Sequence, residues 1–155
     1  MITIKKMTEK DIKAVASVEE KCFIIPWTRK DFEREILENE AAIYFVASDG
    51  DETVGFAGMW HVVNEGHITN VAVLPEYRGR SIGSRLMKAL MEEADRLEMI
   101  GITLEVGMEN DIAKKLYFGL GFKPEGIRKN YYDYTNEDAI IMWKYFDRAE
   151  TSEGE

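Results

Sequence analysis

Two hydrophobic periods alternate along this chain. Ile2 and Ile4 are spaced as on a strand, and from Ile12 the apolar positions change to helical spacing through Val15, Ala16, Cys22 and Phe23. Thr8 with Asp11 has the form of a capping box opening that helix. Thr28 with Asp31 repeats the device before Phe32, Ile36 and Leu37. The apolar run Ile24-Ile25-Pro26-Trp27 joins the two helices, either as a staple between them or, if exposed, as the wall of a binding groove.

Two β-rich runs, Ile43 to Ser48 and Thr53 to Val63, flank Asp49-Gly50-Asp51, which is strong hairpin chemistry. Asn64-Glu65-Gly66 reads as a second turn, into a strand from His67 to Leu74, so an antiparallel meander is expected. Ile82, Leu86, Leu90, Ala94 and Leu97 give the following helix one buried stripe, with Gly101 near its C-cap. A short strand, Ile102 to Val106, precedes a helix capped by Asn110, bearing Ile112, Leu116 and Leu120, and stopped by Gly119 and Gly121. Strands from Lys123 to Tyr134 and from Ala139 to Phe146 close the pattern. The step from Val71 to Val106 is a right-handed parallel crossover. The order predicts an α+β fold, a mixed and mostly antiparallel sheet of about seven strands with about four helices.

Composition refines this picture. A chain of 155 residues fits one domain, expected over residues 1–146, with 147–155 as an acidic, disordered tail. The formal charge of -9 disfavours direct contact with nucleic acid and suits a cationic amine, although a merely soluble surface would have the same excess. The lone Cys22 excludes an internal disulfide and reads as packing. With only His61 and His67 to join it, no metal is expected. The first residues lack the apolar core of a leader and no run is long enough to span a bilayer, so no membrane partner and a cytoplasmic setting are the expectations.

The densest chemistry lies where the strand ending at Leu74 turns through Pro75-Glu76-Tyr77 into Arg78-Gly79-Arg80-Ser81-Ile82-Gly83-Ser84-Arg85 and a helix. Such a turn presents backbone N–H groups without intrahelical partners, and the helix dipole adds positive potential there. Three arginines within eight residues oppose the global charge, so a polyanion is the expected ligand.

The run Val71 to Met87 resembles the Arg/Gln-x-x-Gly-x-Gly/Ala pattern of the GCN5-related N-acetyltransferase (GNAT) superfamily. Leu104-Glu105-Val106, Asn110 and Leu116-Tyr117-Phe118-Gly119-Leu120-Gly121-Phe122 resemble its next strand, helix and turn. The likeness covers residues 2 to 146 in order. It implies acetyl-coenzyme A as cosubstrate, its diphosphate on the N–H groups from Gly79 through Arg80, Ser81, Ile82 and Gly83 to Ser84, beside Arg78. Its pantetheine would pair with Val71, Ala72 and Val73, and Asn110 would touch it or serve as a cap alone. Ser81 departs from the pattern at the middle glycine. At positive φ serine costs on the order of 1 kcal/mol, which weakens cofactor binding by less than tenfold.

An α-amino group is mostly protonated at neutral pH, so a base must take its proton. Glu105, a carboxylate in an apolar strand, has the right chemistry if it faces the cleft, and is otherwise a solvent-facing strand residue. The resemblance makes Glu105 the base, through water, and Tyr117 the acid that protonates the departing thiolate. By spacing alone Tyr117 could instead be core. His67 is a weaker candidate.

Pro26-Trp27, Arg128 to Tyr132 and Glu137 to Met142 resemble the protein N-terminal acetyltransferases, of the ribosomal-protein alanine (RimI) type and its archaeal relatives. This implies a protein or peptide N-terminus as substrate, clamped by Pro26, Tyr131 and Tyr132, and leaves association with the ribosome open. Without the resemblance, the two tyrosines are a cross-strand aromatic pair. Acetylation of a polyamine-like small amine and a silent acyl-coenzyme A sensor are the rival functions.

Overall fold

The capping box at Thr28 is closed in the folded chain: the Thr28 N–H donates to Asp31 Oδ2 at 2.8 Å and the Asp31 N–H to Thr28 Oγ1 at 3.2 Å. A computed structural model describes residues 1–132 and 137–146. The elements are β1 (Ile2–Lys6), α1 (Ile12–Cys22), α2 (Arg29–Glu38), β2 (Ala42–Asp49), β3 (Glu52–Val62), β4 (Glu65–Val73), α3 (Ile82–Arg96), β5 (Gly101–Gly107), α4 (Asp111–Gly119), β6 (Lys123–Tyr132) and β7 (Glu137–Tyr145). They build one seven-stranded sheet in the order β1-β2-β3-β4-β5-β7-β6, in which β4 and β5 run parallel and the other pairs antiparallel. This is the α+β arrangement the pattern predicts. Among the described residues no helix is long and apolar enough to cross a membrane.

Several boundaries differ from expectation. The Thr8–Asp11 box opens a 3-10 turn, Glu9–Asp11, that leads into α1. The turn before β4 is Val63-Asn64, with Val63 at φ 57°, so Glu65 and Gly66 already belong to the strand. Glu98, at φ 60°, takes the left-handed position after α3, and Gly101 instead opens β5. A Cβ on Gly101 would lie 2.8 Å from the Lys144 carbonyl oxygen, so close strand approach selects glycine there. The β6 strand ends at Tyr132 and β7 begins at Glu137. Residues 133–136 and the acidic end, 147–155, lie outside the described residues.

Strand alternation in β3 sets the layers. Gly55 faces Leu86 of α3, whereas Phe56 meets Phe32 of α2 edge-on at 5.6 Å. The sheet is therefore covered by α3 on one face and by α1 and α2 on the other. Leu86, Met87, Leu90 and Ala94 are fully buried on one side, Val15 and Phe32 on the other. On the order of 2 kcal/mol per large side chain comes from that burial.

An ion-pair network ties β1 to α3. Glu93 accepts from Arg96 at 2.6 Å and from Lys6 at 3.0 Å with only 11% of its side chain exposed. The Arg96 guanidinium, seconded by Lys6, holds the Glu93 carboxyl down at about 2. A native value below the unfolded one stabilises the fold above pH about 4.5, and this contribution is lost as pH falls toward 2. In urea titrations, the stability advantage of wild type over Glu93→Gln is expected to shrink by about 1 to 2 kcal/mol between pH 5 and pH 2, the exposed partners screening the rest. A pH-independent difference would remove Glu93 from the acid response.

Candidate functional site

The strands β4 and β5 pair only from Glu65 with Gly101 to His67 with Thr103, and then part. At the same level β4 has a bulge: Met59 pairs with Ile68 and Gly58 with Asn70, leaving Thr69 as the extra residue. A buried chain holds that bulge. Tyr44 Oη is 3.0 Å from Thr69 Oγ1 and donates to Glu35 Oε2 at 2.8 Å. Beside it, Asn70 Nδ2 donates to Glu19 Oε1 at 3.2 Å. A side chain at position 58 would collide with the Tyr44 ring, so Gly58 lets that ring lie over the strand.

Beyond the bulge, the Leu74 N–H bonds to Val54 O at 2.8 Å. By antiparallel alternation Ala72 also directs its main-chain groups at β3, while Val71 and Val73 turn theirs into the gap left by β5. All three residues expected along the pantetheine line the cavity at this gap, Val71 and Val73 turning main-chain groups to it and Ala72 turning its own to β3. Arg78 Nε already donates to Val73 O at 3.0 Å, and Cys22 Sγ lies 3.5 Å from the same oxygen.

The gap is part of a cavity of about 650 Å³. At its end Gly79 (φ 81°) and Ser81 (φ 62°) are both left-handed, and Ser81 is the N-cap of α3. The N–H groups of Ile82, Gly83 and Ser84 therefore start the helix without partners in it, and its first turn has no acidic residue. Free N–H groups at a helix start, with no carboxylate beside them, favour an anion. The Tyr77 hydroxyl anchors the approach by donating to Asp49 Oδ2 at 2.8 Å, a bond that pushes the phenol up to about 12.

All the residues expected to hold a cofactor line this cavity except Arg80. Its guanidinium sits 4.7 Å over the Tyr77 ring, so Arg80 braces the turn from outside. Asn110 lines the cavity and also caps α4, its Oδ1 accepting the Ala113 N–H at 3.1 Å. Lining residues not anticipated as part of the site are Cys22 and Phe23 at the end of α1, Tyr77 before the turn, and Ile112, Ala113 and Leu116 of α4. Cys22 was expected in the packing. It is half-buried, and burial pushes its thiol up. Ile112, expected on the packed stripe, is 87% exposed. Helical spacing identifies a face but not which end of it stops short of the core.

Tyr117, also in the lining, is 8% exposed and meets Phe122 edge-on at 6.0 Å. Glu105 is not in the lining. Ile102, Leu104 and Val106 are buried in the core, so alternation puts Thr103 and Glu105 on the α1/α2 side of the sheet. There Glu105 Oε2 lies 3.6 Å from an Arg128 nitrogen, and the Arg128 guanidinium is 5.3 Å over the Tyr131 ring. Burial, and then the Glu105 charge, push the Tyr131 phenol up. Tyr132 ends β6, and its side chain lies outside the described residues. His67 Nε2 is 3.0 Å from Glu65 Oε1.

The loop after α1 is a staple at its Trp27 end. The Trp27 N–H donates to buried Glu19 at 3.0 Å and its ring packs 5.2 Å from Phe32, while Pro26 is half-buried and Ile24 and Ile25 are exposed. Burial raises the Glu19 carboxyl, against the Trp27 hydrogen bond.

Residues 12–122 match the Acetyltransferase (GNAT) family. A Bacillus subtilis protein provisionally named as a ribosomal protein bS18-alanine N-acetyltransferase is 40% identical over 140 residues, covering 90% of this chain and 93% of that one. The crystal structure of the ribosomal-protein alanine N-acetyltransferase from Escherichia coli superposes with a TM-score of 0.85 at 31% identity, covering 94% of each chain. The PaiA N-acetyltransferase of Thermoplasma acidophilum in complex with coenzyme A shares the fold, with a TM-score of 0.80 at 17% identity over 94% of this chain and 99% of that one.

The left-handed Ser81 yields a direct test. Ser81→Gly removes about 1 kcal/mol of backbone strain but frees the unfolded chain, so stability is expected to change by less than about 1 kcal/mol. The β-branched Ser81→Val is expected to lose about 2 kcal/mol. Denaturant midpoints check both, and equal stability of the two variants would contradict the strain.

Proposed function

The chain belongs to the GNAT acetyltransferase family, and on that premise we propose that it moves an acetyl group from acetyl-coenzyme A to the N-terminal amine of a protein, an alanine start on a ribosomal protein being the substrate class. The ribosome, or one of its proteins, is then the partner. The observation that carries this reading is the gap between β4 and β5, with the main chain of Val71 and Val73 turned into it and the turn from Gly79 to Ser84 at its end.

An extended amide chain ending in a diphosphate fits that gap. Val71 and the N–H of Val73 offer strand-like bonds to the amides, and the N–H groups of Ile82, Gly83 and Ser84 with the α3 dipole take the phosphates. Acetyl-coenzyme A supplies the thioester carbonyl and a thiolate leaving group. The N-terminal amine has a reference pKa near 7.7 to 8.0 and must lose a proton to attack. Glu105, through a water molecule, accepts that proton on the α1/α2 side of the sheet, where Arg128 holds its carboxylate. Tyr117 acts from inside the cavity and gives its proton to the departing sulfur, a transfer that suits a phenol near 10 and a thiol near 8.5. Pro26 and the Tyr131-Tyr132 end of β6 flank the peptide.

Release of coenzyme A from acetyl-coenzyme A, measured with alanine-starting peptides and with polyamines, tests the reading. Peptides alone are expected to turn over. Turnover confined to polyamines would replace the substrate class, and no turnover would favour an acyl-coenzyme A sensor. Glu105→Gln and Tyr117→Phe are each expected to lower kcat about 10- to 1,000-fold, and wild-type rates would reassign the two roles.

A further inference from the structure

A second cavity, of about 470 Å³, opens on the outer side of α2, walled by the indoles of Trp27 and Trp60 and lined by Asp31, Arg34, Glu35 and Glu38. Its three carboxylates face one guanidinium, and that guanidinium is already committed to Asp31 at 3.0 Å. Glu35 at its inner end is 6% exposed, and every hydrogen bond to it comes from a neutral group: Tyr44 Oη at 2.8 Å, Trp60 Nε1 at 2.5 Å and Asn39 Nδ2 at 3.0 Å. No cation pairs with it among the described residues. A buried carboxylate without a counter-ion, under two indoles, is the environment that attracts an alkylammonium or guanidinium group.

The cavity also lies on the route from the reacting centre. Trp60 pairs directly with His67 on β4, and His67 with Thr103 on β5, so all three share the sheet face that carries Glu105. Two strand spacings across and two residues along make roughly 12 Å, the reach of about three or four extended residues. Trp27 directly follows Pro26 in the loop that flanks the peptide.

We infer that this cavity is a specificity subsite for a lysine or arginine side chain at the third or fourth residue of the substrate peptide, held between the indoles of Trp27 and Trp60 over Glu35 and Glu38. The inference rests on the peptide-acetylating reading above and names a preference within it. Small free cations would enter the same cavity without being acetylated.

Peptides of about eight residues with a common alanine start, carrying lysine, glutamine or glutamate at positions three and four, test it. The lysine peptide is expected to show a KM about tenfold below the glutamine peptide, with kcat changed less than twofold. Glu38 is exposed, so Glu38→Gln is a mild change. It should bring the lysine KM most of the way to the glutamine value, and Trp60→Leu should act likewise. Equal KM for all three peptides, or a lysine preference that survives in the double variant, would overturn the inference. If no peptide is turned over, the peptide-acetylating reading falls, and the cavity is judged by binding alone. The indole N–H resonances of Trp27 and Trp60 should shift on titration with the lysine peptide and not with the glutamine peptide, and identical responses would end the inference.

Discussion

Main-chain hydrogen bonding between β4 and β5 stops after three residue pairs, and the site is built on that interruption. A parallel pair inside a sheet normally satisfies both strands along their length, because an unpaired amide in an apolar surrounding costs a few kcal/mol. Here the strands separate where a bulge rotates β4 away, and Val71 and Val73 are left with polar groups turned to a cavity instead of to a neighbour. One acceptor, Val73 O, is taken by Arg78. The others define a place for a strand-like ligand, which is what an acyl donor with amide bonds along its stem provides.

Keeping the gap open falls to two buried carboxylates on the helices that cover this half of the sheet. Glu35 of α2 reaches the bulge through Tyr44 to Thr69, and Glu19 of α1 bridges Asn70 of β4 to the Trp27 N–H. Burying a carboxylate is unfavourable unless donors compensate it, so each is surrounded by hydroxyl, amide or indole donors. Glu19 fixes the loop bearing Pro26 to the strand that borders the gap, so on the proposed reading one side chain would set the spacing between the two substrates. That coupling explains polar groups at the centre of an otherwise apolar layer.

Element order, the capping of α2 and α4 and the parallel crossover were legible in the residue pattern, because each rests on local chemistry, whereas a left-handed Ser81 was suggested only by the family pattern, which has glycine there. Ser81 does take the left-handed conformation, even though serine disfavours it. What the pattern did not reveal is non-local. The splitting of β4 from β5 depends on a single extra residue, Thr69, that looks like any other threonine in a strand. The roles of Glu19 and Glu35 were hidden because charged residues on helices read as solvent-facing. Gly101 was misassigned for a related reason: a glycine after a helix suggests a cap, and only the approach of the β7 backbone reveals why it is glycine.

Glu105 and Tyr117 belong to different elements, one on β5 and the other on α4, and their placement bears on how two substrates would meet. Tyr117 lies in the cavity, which the end of α1, β4, α3 and α4 all line, whereas Glu105 is outside that lining and points to the side of α1 and α2. A donor threaded through the gap brings its thioester to the parting of the strands, with the sulfur toward the phenol. An amine arriving over the α1/α2 face meets the same carbonyl from the other side, next to the carboxylate. On the proposed reading, proton removal and proton return would fall to groups directed to different sides of β5, and neither group would have to reach across the reacting atoms. On that reading no intermediate on the enzyme is needed: the bulge and the parting of β4 from β5 leave room for direct attack of the amine on the thioester.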